Sequence, residues 1–288
     1  MSDRLPVLKT YKLYLGGAFP RTESGRSQVV AQGDQPIAHL CRASRKDFRN
    51  AVVAARKALG GWSARSAYNR GQILYRMAEM LEGKAGEFEQ AIAATVPGGS
   101  EGARAEVEAA VDRLVCFAGW ADKYAQVVGG QNPVEGPFHN FSLPEPTGVI
   151  AVMAPNDQPL LGLISLMAPL LCAGNTVVAL GSEEHPLATA IFGEVCATSD
   201  VPGGVINLLT GQRDELVEHF ASHRDVDGIS AADVSAEQRR TLELGAAENL
   251  KRVRVLEVDG AWAEARWDSP EGIEAFVEIK TLWHPSAT

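Results

Sequence analysis

The chain has 288 residues, 45% hydrophobic and 22% charged, which are the proportions of a soluble globular protein with a full core in one large domain or two small ones. A net charge of −9 excludes a general affinity for nucleic acid or an anionic membrane, since both need a basic surface. The four cysteines (Cys41, Cys116, Cys172 and Cys196) have no C-x-x-C spacing, which argues against a disulfide scaffold and for a reducing, cytoplasmic setting.

The opening "MSDRLPVLKTYKLYLGG" lacks an apolar run between a basic end and a small-residue cleavage site, so it does not read as a signal peptide. From residue 44 to about 128 the pattern is helical. Ser44 and Asp47 stand at capping-box spacing, Phe48, Val52, Ala55 and Leu59 share one face, and Gly60-Gly61 marks a stop. A second helical stretch places Ile73, Leu74, Met77 and Leu81 on its apolar side and ends at Pro97-Gly98-Gly99. A third is expected over residues 100–124, with Val107, Val111, Leu114 and Val115 facing inward. Residues 127–147 are rich in Gly and Pro but alternate around Phe138, Phe141 and Leu143, the pattern of a short extended flap with proline-protected edges.

Beyond Thr147, five apolar runs ("GVIAVMA", "NTVVAL", "GVINLLT", "DGISAA", "VRVLEV") alternate with four helical segments. That order predicts an α/β fold with a parallel sheet covered on both faces. Residues 158–182 carry no charge over a length that could span a bilayer. Pro169 and the turn Ala173-Gly174-Asn175 break the run, and a β-branched segment follows, so it reads as buried helix, turn and strand rather than a membrane segment. The last stretch, "SPEGIEAFVEIKTLW", is expected to form one more amphipathic helix, with Ile273, Phe276, Val277 and Leu282 on its apolar side.

A doubly wound sheet places its ligand at the carboxyl ends of its strands. Reading those ends in order, "EPTGVIAVMAPNDQPLLGLISLMAPLLCAGNTVVALGSEEHPLATA", "VPGGVINLLTG", "HRDVDGIS" and "AAENLKRVRVLEVDG" resemble the cofactor-binding half of the NAD(P)-dependent aldehyde dehydrogenases. "YLGGAF", "AVVAARKAL", "GWSARSAYNRGQIL" and "FAGWADK" are similar to the same family's amino-terminal helices, and "GGAFPRTESGRS" to the cysteine-less second copy found in aldehyde dehydrogenase family sixteen. The resemblance implies a Rossmann-like domain over residues 1–260 with an N-terminal helical layer. Residues 127–147 would be its oligomerisation flap, residues 261–288 a C-terminal helix and tail, and the catalytic domain would be absent.

The departures fall at chemical positions. Asp157 stands where the family's asparagine amide donates to the oxyanion, and a carboxylate has no N–H to give. Loss of one such donor costs on the order of 3 kcal/mol of transition-state stabilisation. Where the family has Lys-Pro-Ser-Glu for the adenosine ribose, this chain has Leu180-Gly181-Ser182-Glu183, so Ser182 and Glu183 are weak cofactor-binding remnants. The family's Phe-Thr-Gly-Ser-Thr-x-x-Gly phosphate turn is here 231–238, "AADVSAEQ", with Asp233 and Glu237 where a phosphate would sit. In "LEVDG", Glu257 matches the family's deacylating base, yet no matching nucleophilic cysteine follows it.

Core thiol is the favoured reading of Cys172, and Cys116 and Cys196 also lie in apolar helical patterns. The six histidines form no ligand pattern, no metal site is expected, and Gly148 and Gly203-Gly204 read as turn glycines. Trp62, Trp120 and Trp262 are packing or interface aromatics.

Three functions stay open. The first, favoured, is a non-catalytic pseudoenzyme subunit that assembles through residues 127–147 with a full-length aldehyde dehydrogenase or with itself, with no cofactor expected. The second is a nucleotide or NAD module or sensor using Glu183. The third is an aldehyde dehydrogenase active only when another chain completes the site.

Overall fold

A computed structural model describes residues 7–286. Three strands, β1 (Lys9–Tyr11), β2 (Ser27–Gln32) and β3 (Gln35–Cys41), form a small sheet in the order β1-β3-β2 that the sequence pattern does not announce.

Helix α1 (Arg45–Ser63) begins with the capping box of Ser44 and Asp47 and buries Phe48, Val52 and Ala55. It continues to Ser63, past the expected stop at Gly60-Gly61, with Trp62 anchored in the core. Next come α2 (Ala67–Glu82), α3 (Ala85–Thr95), α4 (Gly99–Trp120) and the short α5 (Tyr124–Val128). On α4 the inward face is Ala103, Val107, Ala110, Leu114 and Phe117. Val115 is exposed rather than inward, since Leu114 already occupies that side and the next residue turns about 100° away.

The flap is a three-stranded antiparallel sheet of β4 (Gly130–Asn132), β5 (Phe138–Pro146) and a strand from the far end of the chain. The main sheet takes β6 (Val149–Met153), β7 (Thr176–Leu180), β8 (Ile206–Leu209), β9 (Gly228–Ala232) and β10 (Arg252–Leu256), all parallel, in the order β10-β9-β6-β7-β8. Strands β6 to β9 are buried on both faces, which explains their largely apolar runs. Helices α6 (Pro159–Ala173), α7 (Leu187–Ala197), α8 (Arg213–Ser222) and α9 (Ala236–Ala247) make the crossovers, and two core layers lie on opposite faces of the sheet. Helix α6 runs straight through Pro169 and ends only at Gly174, whose left-handed φ of 97° suits glycine. Among the described residues, no helix is long and apolar enough to cross a membrane.

The expected C-terminal amphipathic helix is not formed. After β10 the chain makes two 3₁₀ turns (Ala261–Ala263 and Ala265–Asp268), one turn of helix α10 (Glu271–Glu274), and then the nine-residue strand β11 (Val277–Pro285). Strand β11 pairs antiparallel with the whole of β5, from Val277↔Pro146 to Pro285↔Phe138. The residues Val277, Ile279, Thr281 and Trp283 also alternate with period two, and the long partner strand selects that period over the helical one. The flap expected as a pair within residues 127–147 therefore needs β11 as its third strand.

Candidate functional site

The ends of β6, β7, β9 and β10 converge, and each loop is tied to another by side chains. After β6, the Asn156 side-chain Oδ1 accepts from Ser182 Oγ at 3.1 Å and from the Glu183 N–H at 3.0 Å, and its Nδ2 donates to Glu184 at 2.8 Å. Gln158, at a left-handed φ of 43°, donates from Nε2 to the Gly260 carbonyl at 2.8 Å and so joins the β6 loop to the β10 loop.

The candidate cofactor residues are committed within the protein. Ser182 is fully buried, and its hydroxyl both donates to Asn156 and accepts the His185 N–H at 2.9 Å. Glu183 Oε2 accepts the Arg213 N–H at 2.8 Å and so satisfies an orphan donor at the start of α8. Neither is free to hold a ribose while these bonds stand.

Asp157 is half-buried beside the β10 loop. Burial raises its carboxyl above the usual range, and the neighbouring carboxylates Asp233 and Asp259 push the same way. This corner collects negative charge, the opposite of what a developing oxyanion needs. Asp233 itself takes a left-handed φ of 49°, and its Oδ1 accepts the Val258 N–H at 2.8 Å. Glu257 lies apart, with its side chain 83% exposed and a single surface ion pair to Arg239 at 3.0 Å. Of the two catalytic-position remnants, then, only Asp157 sits in the crevice.

The cysteines offer no ready nucleophile. All four are free; burial pushes the Cys172 thiol up to about 12 and also raises Cys196 and Cys116, while Cys41 is buried. Trp62 and Trp262 are core residues, and Trp120 donates from Nε1 to the Asp268 carbonyl at 2.7 Å.

Among the buried charges not singled out from the sequence, two lie by the strand ends. Arg213 bridges the strand ends from below, and Glu106 on α4 sits under the start of α6. A charged residue inside an amphipathic helix carries no mark of burial in the sequence; for Glu106 the one available sign was its place three residues after Ala103 and four before Ala110, on the apolar face.

The profile of the aldehyde dehydrogenase family matches residues 21–263. Retinal dehydrogenase 2 of Gallus gallus is 32% identical over 265 residues, covering 88% of this chain and 49% of that protein. The mitochondrial benzaldehyde dehydrogenase of Antirrhinum majus is 32% identical over 262 residues, covering 88% and 48%. Among solved structures, PnpE from Pseudomonas sp. WBC-3 superposes with a TM-score of 0.80 at 30% identity, over 85% of this chain and 50% of that one, and PnpE has also been solved with nicotinamide adenine dinucleotide. The chain spans about half the length of the curated relatives it matches. Those neighbours share its Rossmann-like sheet and match it where a cofactor-binding half would lie. The chain belongs to the aldehyde dehydrogenase family.

Proposed function

We propose that this chain is a non-catalytic, aldehyde-dehydrogenase-like subunit, located in the cytoplasm, that assembles through its flap with a full-length aldehyde dehydrogenase or with a second copy of itself. The observation that carries the reading is β11. It adds to the flap a nine-residue edge strand that exposes Ile279 and Trp283 on the face of Phe138 and Leu282 on the face of Leu143 of β5. Trp283, 60% exposed, meets Phe138 edge-on at 5.7 Å. An edge with unpaired backbone groups and large apolar side chains favours strand addition or face packing by another chain.

The absence of catalysis rests on the site. Asp157 supplies negative charge in place of a donor, the thiols are raised or buried, and Glu257 points to solvent without a reacting group beside it. The nucleotide-module reading has the NAD-bound PnpE relative on its side, but Ser182 and Glu183 are already satisfied internally.

The test is sedimentation of the purified chain, alone and mixed with an aldehyde dehydrogenase from the same cell, beside an assay of NAD reduction with a short aldehyde. A dimer or larger species, or a mixed one, with no NAD reduction is the expected result. A monomer in both samples sinks the assembly reading, and NAD reduction by the chain alone sinks the non-catalytic one.

A further inference from the structure

In the main sheet the order β10-β9-β6-β7-β8 reverses between β6 and β9, and a doubly wound sheet opens its ligand crevice at that point. Here the point is filled from within. Arg213, the first residue of α8, is 5% exposed. Its Nη1 donates to the Asp233 carbonyl at 3.0 Å, and its Nη2 donates to the Ala154 carbonyl. Ala154 follows β6 and Asp233 follows β9, so one guanidinium spans the two strand ends across the crevice.

Burial pulls the Arg213 guanidinium below its ordinary range, and the carboxylates Glu183, Asp233, Glu184 and Asp157 around it oppose that loss. The Nε N–H of Arg213 is buried without a hydrogen-bond partner, and so are Oδ2 of Asp233 and Oε1 of Gln158 at the strand ends, so the polar capacity left over is one donor on the arginine and acceptors around it.

Donors that a diphosphate would need are already engaged. The α8 start gives its Arg213 N–H to Glu183. The α9 start is closed by the reciprocal capping box of Ser235 and Gln238, whose Nε2 also donates to Asp214 at 2.7 Å. A phosphate group entering here would meet Glu183, Asp233 and Asp157, and the one guanidinium that could offset them already gives its Nη N–H groups to two carbonyls.

We infer that the crevice is an acceptor-lined guanidinium site whose resident ligand is the chain's own Arg213, and that diphosphate-bearing nucleotides are not its ligands. The planar fork of the arginine fits two carbonyls that face one another, which an ammonium cannot bridge in the same way. This assignment stands independently of whether the flap assembles.

The experiment is thermal melting of the wild-type chain and of Arg213→Ala, each with ethylguanidinium, NAD or AMP. Removing a buried, bridging guanidinium lowers Tm by about 5–10 °C. Ethylguanidinium at tens of millimolar then restores most of that loss in Arg213→Ala and leaves the wild-type chain unchanged or slightly less stable. Should Arg213→Ala not fold alone, recovery of its circular dichroism on refolding with ethylguanidinium is the same readout. NAD and AMP at millimolar concentration move neither melt. Failure of ethylguanidinium to rescue overturns the site, and so does stabilisation of either chain by NAD or AMP.

Discussion

The carboxylate of Glu106 and the backbone N–H of Leu160, 54 positions apart in the chain, meet at 2.8 Å, and the same oxygen accepts the Leu161 N–H at 3.2 Å. A buried acid on α4 thus satisfies two of the orphan donors at the start of α6, the helix that follows the β6 loop. Burial pushes this carboxyl up to about 7 against the opposing pull of the two N–H groups, and nearby Asp157 pushes the same way.

That position sets a pH dependence. The folded value lies above the unfolded one near 4.5, so the folded chain binds the extra proton between them. The contribution is complete below about pH 4.5 and is lost as pH rises through about 7, on the order of 3 kcal/mol for a shift of this size. Glu106→Gln keeps an acceptor and drops the charge. Its stability by urea titration is expected to exceed that of the wild type at pH 8 and to converge with it near pH 5; equal differences at both pH values would refute the assignment.

Arg113 holds the crossing segment to the core. Its Nη1 donates to Ser165 at 2.8 Å and its Nη2 to the Trp262 carbonyl at 2.9 Å, while Nε stands 2.7 Å from Asp268 Oδ1 as an ion pair without hydrogen-bond alignment. The guanidinium is buried and Asp268 is nearly half exposed. Arg113→Ala is expected to cost about 3 kcal/mol and Asp268→Asn under about 1 kcal/mol. Denaturant midpoints for the two variants check the asymmetry, and an equal loss from both would show that the ion pair, not the pair of neutral acceptors, holds the segment.

Asp157 and Glu257 should respond differently to neutralisation. The Asp157 carboxyl is raised above 3.8 by burial and by Asp233 and Asp259, so its contribution is full below that value and declines as pH rises. Asp157→Asn is therefore expected to raise Tm at neutral pH and to leave it unchanged near pH 3.5. Glu257→Gln, on an exposed side chain, should change stability by no more than about 0.5 kcal/mol. Melting curves at two pH values separate these outcomes, and a large loss from Glu257→Gln would mean that the residue serves a packed interface.

On the flap, Trp283→Glu puts a charge on an exposed apolar edge strand beside Phe138. The circular dichroism and monomer Tm should stay close to wild type while the sedimentation coefficient falls to that of a monomer. An unchanged assembly would place the contact elsewhere on the surface.

Much of the main sheet was legible because its signals are local. Capping by Ser44 and Asp47 needs only three residues of separation, and β6 to β9 are mostly apolar because both faces are covered. The candidate site was legible as a set of positions: Asp157, Ser182 and Glu183 do lie at the strand ends, and Asp157 does bring unwanted charge there. What those side chains bond to was not legible. Glu183 and Ser182 look available in sequence and are engaged in the structure, since Arg213 and Asn156 are brought to them by two other loops, with His185 the one partner from their own.

From the sequence alone came the periodicities, the order of strands and helices in the main sheet, the family resemblance and the residue types at its chemical positions. Tertiary structure decided two matters that periodicity leaves open. Residues 277–285 carry an ambiguous apolar pattern, and only pairing with the whole length of β5 makes them a strand. Arg213 is one arginine among many in the sequence; its meaning comes from lying across the ends of β6 and β9, where two carbonyls converge on its guanidinium and water is excluded. Both depend on contacts between distant parts of the chain, and a hydrogen bond or a strand pair of that kind has no period along the sequence to reveal it.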